Sequence, residues 1–281
     1  MMLRTKILIA LNRFFKAPLH PFNMQNDGVK TYAEWQFEKG GETIKFYLKS
    51  HTADEMFKGK TVADIGCGAA GKSLYYASLG AKKVLGVEIL AKYKNEAEAL
   101  AQKLGLSGKF EFVAADAAHL PFESDSIDTI IMNDAMEHVA NPEAVIDECL
   151  RVLSKGGRLF VNFPPINHPM GAHLSDLIYI PWVHLFFSEK TLVEAYKLLA
   201  KNVPDGDARV AFRISKKDNG DEYFSYINHM SIKRFNRILK SKGITPAYLK
   251  HIPLRSIIKP FYKLPILKEV FVKMVVCVFE K

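Results

Sequence analysis

Between residues 61 and 163, short apolar runs alternate with amphipathic segments. Residues 61–65 read as a strand that ends in glycines. Residues 72–79 follow with helical periodicity and stop at Gly80. A second strand is expected at 83–88, an exposed amphipathic helix at 92–104, a third strand at 109–113 and a fourth at 127–132. Asn141 is a good helix cap with Pro142 in the first turn, and that helix runs to Leu153, before Gly156 and Gly157. Residues 158–163 are the fifth strand. Strands and helices alternating at this spacing predict right-handed βαβ units and a doubly wound, mostly parallel sheet of the Rossmann-like α/β class. The rhythm breaks at Pro164-Pro165. Residues 164–224 are long and aromatic-rich, and they read either as a lid over the sheet's carboxyl edge or as a packing subdomain. A basic helix at 231–241 and two late strands, 248–252 and 274–279, bring the expected sheet to seven strands, the last antiparallel. The expected organisation is a helical extension at 1–60, a cofactor-binding core at 61–163, an insertion at 164–224, and 225–281 completing the core.

Charge divides along the same boundaries. Residues 1–60 carry a net +4, residues 61–163 a net −4 and residues 164–281 a net +9. Basic flanks around an acidic middle point to an anionic partner: a phosphorylated molecule, a membrane surface or nucleic acid. Three scattered cysteines make no disulfide framework, and no thiol spacing suggests a metal. The apolar stretch at 7–11 is broken by Asn12-Arg13 and is shorter than the ~7–15 residues of most signal-peptide cores. The expectation is a cytoplasmic protein, with a peripheral contact at the inner face of a membrane as an option.

The central motif is Asp64-Ile-Gly66-Cys67-Gly68-Ala-Ala-Gly71-Lys72-Ser73, between a strand and a helix. Three ligands fit it on paper. Gly66, Gly68 and Gly71 satisfy the dinucleotide pattern, with Glu88 twenty residues beyond Gly68. Gly66, Gly71, Lys72 and Ser73 formally match a triphosphate loop, which would make the protein a nucleotide hydrolase. Both need a positive pocket, whereas Asp64, Glu88 and Asp116 bring negative charge to successive strand ends. Lys72 is expected on the solvated first turn of its helix. The third ligand is a nucleoside carrying a positive charge and no phosphate.

Here the sequence resembles the class I S-adenosylmethionine-dependent methyltransferases, particularly the group related to the ubiquinone and menaquinone biosynthesis enzymes. The resemblance rests on VADIGCGAAG (62–71), GVEI (86–89), AADAAHLPFESDSIDTIIMNDAMEHVANP (114–142) and ECLRVLSKGGRLFVNFPP (148–165) in that order. It implies S-adenosylmethionine as cofactor. Asp64, Gly66, Cys67 and Gly68 would line its methionine end, Glu88 with Ile89 its ribose, and Asp116 with Ala117 its adenine. Asn133 would lie under the methyl group. His138 and His173 are the candidate catalytic residues, and no metal is expected. Asn133-Asp134-Ala135-Met136 departs from the [DN]-P-P-[YFW] of amino-methylating nucleic-acid enzymes, so nucleic acid is disfavoured. The expected acceptor is a small molecule, lipid-linked compound or glycan, methylated on oxygen or carbon. Tyr179, Trp182, Phe186 and Phe187 are candidate pocket residues. Apolar and basic residues mixed at 4–16 and 255–273 suit an anionic membrane. A cofactor-binding module without catalysis is the remaining alternative.

Overall fold

The computed structural model describes residues 2–18, 30–255 and 265–281. The chain begins with helices α1 (Leu3–Asn12), α2 (Tyr32–Glu38), α3 (Gly40–Ile44) and α4 (Ala53–Phe57). An alternating series follows: β1 (Thr61–Ile65), α5 (Gly71–Ser78), β2 (Lys83–Glu88), α6 (Lys94–Lys103), β3 (Phe110–Ala114), β4 (Ile127–Asn133), α7 (Pro142–Val152) and β5 (Leu153–Phe163). Then come α8 (Val183–Phe186), α9 (Glu189–Ala200), α10 (Gly206–Arg213), β6 (Ile214–Lys216) and β7 (Glu222–Phe224). The described chain closes with α11 (Ile232–Ser241), β8 (Tyr248–Pro253), α12 (Pro265–Phe271) and β9 (Val272–Glu280).

Two units are distinguished. The first contains residues 29–163, 235–252 and 274–281. Its sheet has the order β3-β2-β1-β4-β5-β9-β8. Strands β1 to β5 are parallel, and β9 runs antiparallel to β5. This is the expected doubly wound sheet. The local signals worked where the backbone chemistry is unambiguous. The Asn141 side chain accepts from the Ala144 N–H at 3.1 Å and starts α7 with Pro142 in its first turn. Elsewhere the boundaries moved. A 3-10 turn over Ala91–Tyr93 precedes α6, and β5 begins at Leu153, before the glycine pair rather than after it. The core packs Val62, Leu74, Val84, Ile131, Phe160 and Val276 around the sheet.

The expected 1–60 extension is divided between the units. Residues 29–60 belong with the sheet. Thr31 and Glu34 close a capping box that starts α2, and Thr52 and Glu55 do the same for α4. α2 then presses on the first turn of α5. A Cβ on Gly71 would lie 1.9 Å from the Ala33 carbonyl oxygen and 2.6 Å from the Phe37 nitrogen, so only glycine lets the two backbones meet.

The second unit contains residues 1–28, 164–234 and 253–273. It holds residues 164–224, expected either as a lid or as a packing subdomain. That segment carries α8, α9, α10 and the β6–β7 hairpin, with Leu174, Leu177, Leu192, Val193, Tyr196 and Phe224 buried around Leu8 of α1. Residues Ile257, Ile258, Lys259, Phe261, Tyr262 and Lys263 of the expected basic and apolar stretch lie outside the described residues. No described helix is long and apolar enough to cross a membrane.

The Gly71 contact is with backbone, which cannot swing aside. Gly71→Ala should therefore lower unfolding free energy by about 3 kcal/mol in urea titration. Gly108→Ala, with open space around its Cβ position, should change it by less than about 0.5 kcal/mol.

Candidate functional site

Strand order reverses between β1 and β4, the place where open parallel sheets expose their carboxyl ends to a ligand. Register aligns those ends. Asp64 lies opposite both Gly86 and Ile131, Glu88 opposite Ala114, and Asn133 opposite Asn162. The loop 66–71, Glu88, Asp116 and the segment 133–138 therefore follow neighbouring strands at one edge of the first unit.

The glycine loop is held from both sides. The Gly66 and Cys67 N–H groups donate to the Val87 carbonyl at 2.9 and 3.1 Å. Gly66 has φ +74°, and a Cβ there would sit 2.7 Å from that of Ala135. On the other side, buried Gln36 of α2 donates through Nε2 to the Cys67 carbonyl at 3.3 Å and accepts the Gly71 N–H on Oε1 at 3.2 Å. Glu88 uses both carboxylate oxygens. Oε2 accepts from Gly68 N–H and Oε1 from Leu90 N–H, each at 3.0 Å. The Gly68 and Gly71 amides, which a phosphate cradle would aim at its anion, are thus spent on protein acceptors.

The lysine and serine that formally completed a triphosphate motif are engaged too. Ser73 is buried and donates to the Asp64 Oδ2 at 2.6 Å. Lys72 is corrected from a solvated position. Its side chain is only 19% exposed, and its ammonium lies 3.6 Å from the Asp134 carboxylate. Its charge also acts on Asp64 and Glu137. Lys72 compensates an acidic cluster, and no observation supports the nucleotide-hydrolase alternative.

Burial pushes the Asp64 carboxyl up to about 6, against the opposing pull of the Ser73 hydrogen bond and Lys72. Burial, reinforced by Asp134, also holds Glu137 well above the ordinary carboxyl range. The Cys67 side chain is buried, and its thiol is held protonated by burial with Asp64 and Glu88 nearby.

Asp116 is exposed and starts a turn. Its Oδ1 accepts from Ala118 N–H at 2.9 Å, and its carbonyl accepts from His119 N–H at 2.9 Å. Ala117 is half-buried beside it, and Ile89 is an exposed apolar side chain next to Glu88. Asn133 is buried, and its amide is committed to a network. Oδ1 accepts from the Tyr47 hydroxyl at 2.8 Å and from Asn162 Nδ2 at 2.5 Å, while Nδ2 donates to the Tyr76 hydroxyl at 3.0 Å. Its side chain fixes the shape of the site's floor. His138 closes the turn after β4 by donating its N–H to the Ala135 carbonyl at 2.9 Å, with Nε2 at 3.7 Å from the Glu137 carboxylate. His173 belongs to the second unit, where its backbone takes φ +53° and its carbonyl accepts from Arg213. His168 and His184 of that unit are pushed down to about 4 by burial, which leaves neutral rings at ordinary pH.

Sequence reasoning missed Gln36, Tyr47 and Tyr76. Gln36 is thirty-five residues from the amide that it holds, and only the capping box marked its helix. Nothing in the local sequence marks the two tyrosines.

Comparison with known proteins agrees with this geometry. Residues 63–161 match the family described as a methyltransferase domain. Over 130 residues the chain is 32% identical to a tocopherol O-methyltransferase of Arabidopsis thaliana, covering 46% of this chain and 37% of the relative. Over 120 residues it is 32% identical to a ubiquinone biosynthesis O-methyltransferase of Cupriavidus pinatubonensis, covering 43% of this chain and 47% of the relative. Each match spans less than half the relative's own length. A crystal structure of a putative S-adenosylmethionine-dependent methyltransferase from Methanococcus maripaludis superposes with TM-score 0.52 at 14% identity, covering 93% of this chain and 91% of that one. The fold is the one that this structure shares, and the sequence match to a methyltransferase domain is confined to residues 63–161.

Removing the Asn133 amide would strand three buried polar partners at once. Asn133→Ala should cost about 3 kcal/mol of unfolding free energy in urea titration, and Tyr76→Phe only about 1 kcal/mol, because that change deletes one group and leaves one donor unmatched.

Proposed function

We propose that the protein binds S-adenosylmethionine and transfers its methyl group to an oxygen or carbon of a small, apolar or lipid-like acceptor. One observation carries the reading. The N–H groups at Gly68 and Gly71 are satisfied by Glu88 and Gln36, while carboxylates at the ends of β1 and β2 and in the turn after β3 define the rim. A rim of that charge fits a cationic, phosphate-free nucleoside and repels a polyphosphate.

The residues fit the cofactor group by group. Each oxygen of Glu88 accepts one backbone N–H and keeps a second lone pair, so the carboxylate can take both ribose hydroxyls. Asp116 holds one oxygen in its turn and has acceptor capacity for an amino group, with Ala117 and Ile89 beside it for the purine. Asp64 and the glycine loop would hold the amino-acid end. The cofactor, when bound, supplies an electrophilic methyl group on a sulfonium. The protein's task is to align an acceptor and exclude water. Where the acceptor is a hydroxyl, His138 is the group placed after β4 to accept its proton. The two relatives, named for tocopherol and for ubiquinone biosynthesis, favour an oxygen on a lipid-like molecule. The buried, unpaired state of all three cysteines suits a reducing cytoplasm.

Calorimetry with S-adenosylmethionine and its demethylated product tests the reading. Both should bind, and Glu88→Ala should weaken binding about a hundredfold, the loss of two hydrogen bonds to a charged acceptor. No heat with either compound, with heat from a triphosphate or a nicotinamide dinucleotide, would overturn it. Methyl transfer from labelled cofactor into a lipid or metabolite extract then separates an enzyme from a binding module.

Asp64 makes the binding pH-dependent. Its carboxyl is raised to about 6 from an ordinary 3.8, so its contribution to folding stability is complete below about pH 4 and is lost as pH rises through 6. A bound cation favours the ionised form, so the sign for affinity is the reverse. Cofactor affinity should rise with pH up to about 6–7 and fall below that by up to about tenfold per pH unit, with proton release on binding near pH 6. Asp64→Asn should flatten that profile.

A further inference from the structure

We infer that α1 is a docking element for an anionic lipid surface. It lies flat on the bilayer interface and inserts the outward stripe formed by Leu3, Ile7, Leu11 and Phe14. The partner follows from how the helix divides its circumference. At about 100° per residue, Thr5, Leu8 and Asn12 share one face. All three are buried. That face is pinned within its own unit. Asn12 donates to the Leu177 carbonyl at 2.8 Å and accepts the Tyr179 N–H at 2.6 Å, and the Thr5 hydroxyl donates to Glu194. The helix therefore cannot roll to hide its opposite side.

That opposite side is apolar and open. Leu3 is 73% exposed, Ile7 46%, Leu11 43% and Phe14 85%. Six of the eleven large apolar side chains exposed among the described residues fall within residues 2–15. A scattering of single exposed apolar residues is ordinary, but a contiguous helical stripe marks an interaction surface. The charges select lipid over protein. Arg4 borders the stripe on one side, and Lys6 and Arg13 border it on the other, all of them exposed. Lys16 follows, and residues 1–26 contain no aspartate or glutamate. An apolar stripe between two rows of cations matches the depth profile of an anionic bilayer, with acyl chains in the middle and phosphates along both flanks. A second copy of the chain would set cation against cation. The link to catalysis, delivery of a lipid-like acceptor, rests on the methyl-transfer reading. The binding itself does not.

Vesicle co-sedimentation tests it with the full chain. Phosphatidylcholine vesicles containing 30% phosphatidylglycerol should retain the protein at low salt and release most of it in 0.5 M salt (both being conditions of the experiment). Pure phosphatidylcholine should retain little. Ile7→Asp with Leu11→Asp should weaken partition about tenfold or more, and Arg4→Gln with Lys6→Gln and Arg13→Gln about a hundredfold on anionic vesicles only. All these positions are solvent-exposed, and cofactor calorimetry on the same variants reports whether the fold is intact. Failure of the wild-type protein to bind anionic vesicles at low salt would overturn the inference. So would retention of full binding by the Ile7 and Leu11 variant, or light scattering that shows a dimer abolished by that same variant. None of these outcomes bears on whether S-adenosylmethionine binds.

Discussion

The site depends on one constraint: every backbone N–H of a tight glycine loop must find an acceptor, and which acceptor it finds decides what the loop can hold. Here the acceptors belong to the protein. Gln36 takes the Gly71 N–H, Glu88 takes that of Gly68, and the Val87 carbonyl takes those of Gly66 and Cys67. A loop satisfied in this way is shaped for a ligand without aiming a cluster of donors at an anion. The same arrangement requires α2 to lie against α5 with no side chain at Gly71 between them. Residues 29–60 are thus part of the sheet-containing unit in a literal sense, because the loop is incomplete without the Gln36 amide.

Charge completes the argument. Asp64, Asp134 and Glu137 gather near a single ammonium, that of Lys72. Burial makes Asp64 and Glu137 expensive to ionise, while Asp134 is exposed beside the lysine. A cation bound beside these groups favours their ionised forms, and a polyphosphate disfavours them. The Asn133 network, by contrast, carries no net charge and keeps its hydrogen bonds inside the protein. The floor is rigid and neutral, and the responsive groups lie around it.

Much of this was legible from the chain alone. Short apolar runs ending near Gly66, Glu88, Asp116 and Asn133 marked the parallel strands, and a parallel sheet brings their carboxyl ends to one edge. The reading failed where distant residues decide the outcome. Lys72 looked solvated because the first turn of a helix usually is, and its partner Asp134 is sixty-two positions away. No local pattern reveals that the hydroxyls of Tyr47 and Tyr76 meet Asn133. Gln36 carried no signal, since a glutamine on a short capped helix is ordinary until its amide meets a loop.

Residues 164–224 show a different limit. The lack of a strand–helix rhythm left a lid and a packing subdomain as equal readings, and the second unit has a core of its own and a buried ionic centre. Asp176 accepts from the Tyr196 hydroxyl at 2.7 Å and pairs with Arg209 at 3.4 Å and Arg213 at 3.2 Å, and Arg209 also pairs with Asp205 at 2.9 Å. Asp176, Arg209 and Arg213 are almost wholly buried, and no local pattern in the sequence marks them as such. Removing charges from water is costly, and such a centre adds little net stability over apolar packing. What it imposes is geometry: each guanidinium must meet its carboxylate, so α9, α10 and the turn at 174–177 have one arrangement that satisfies all of them. A segment fixed in this way is a built surface, and the face of α1 that it leaves uncovered is as much a product of the fold as the face that it buries.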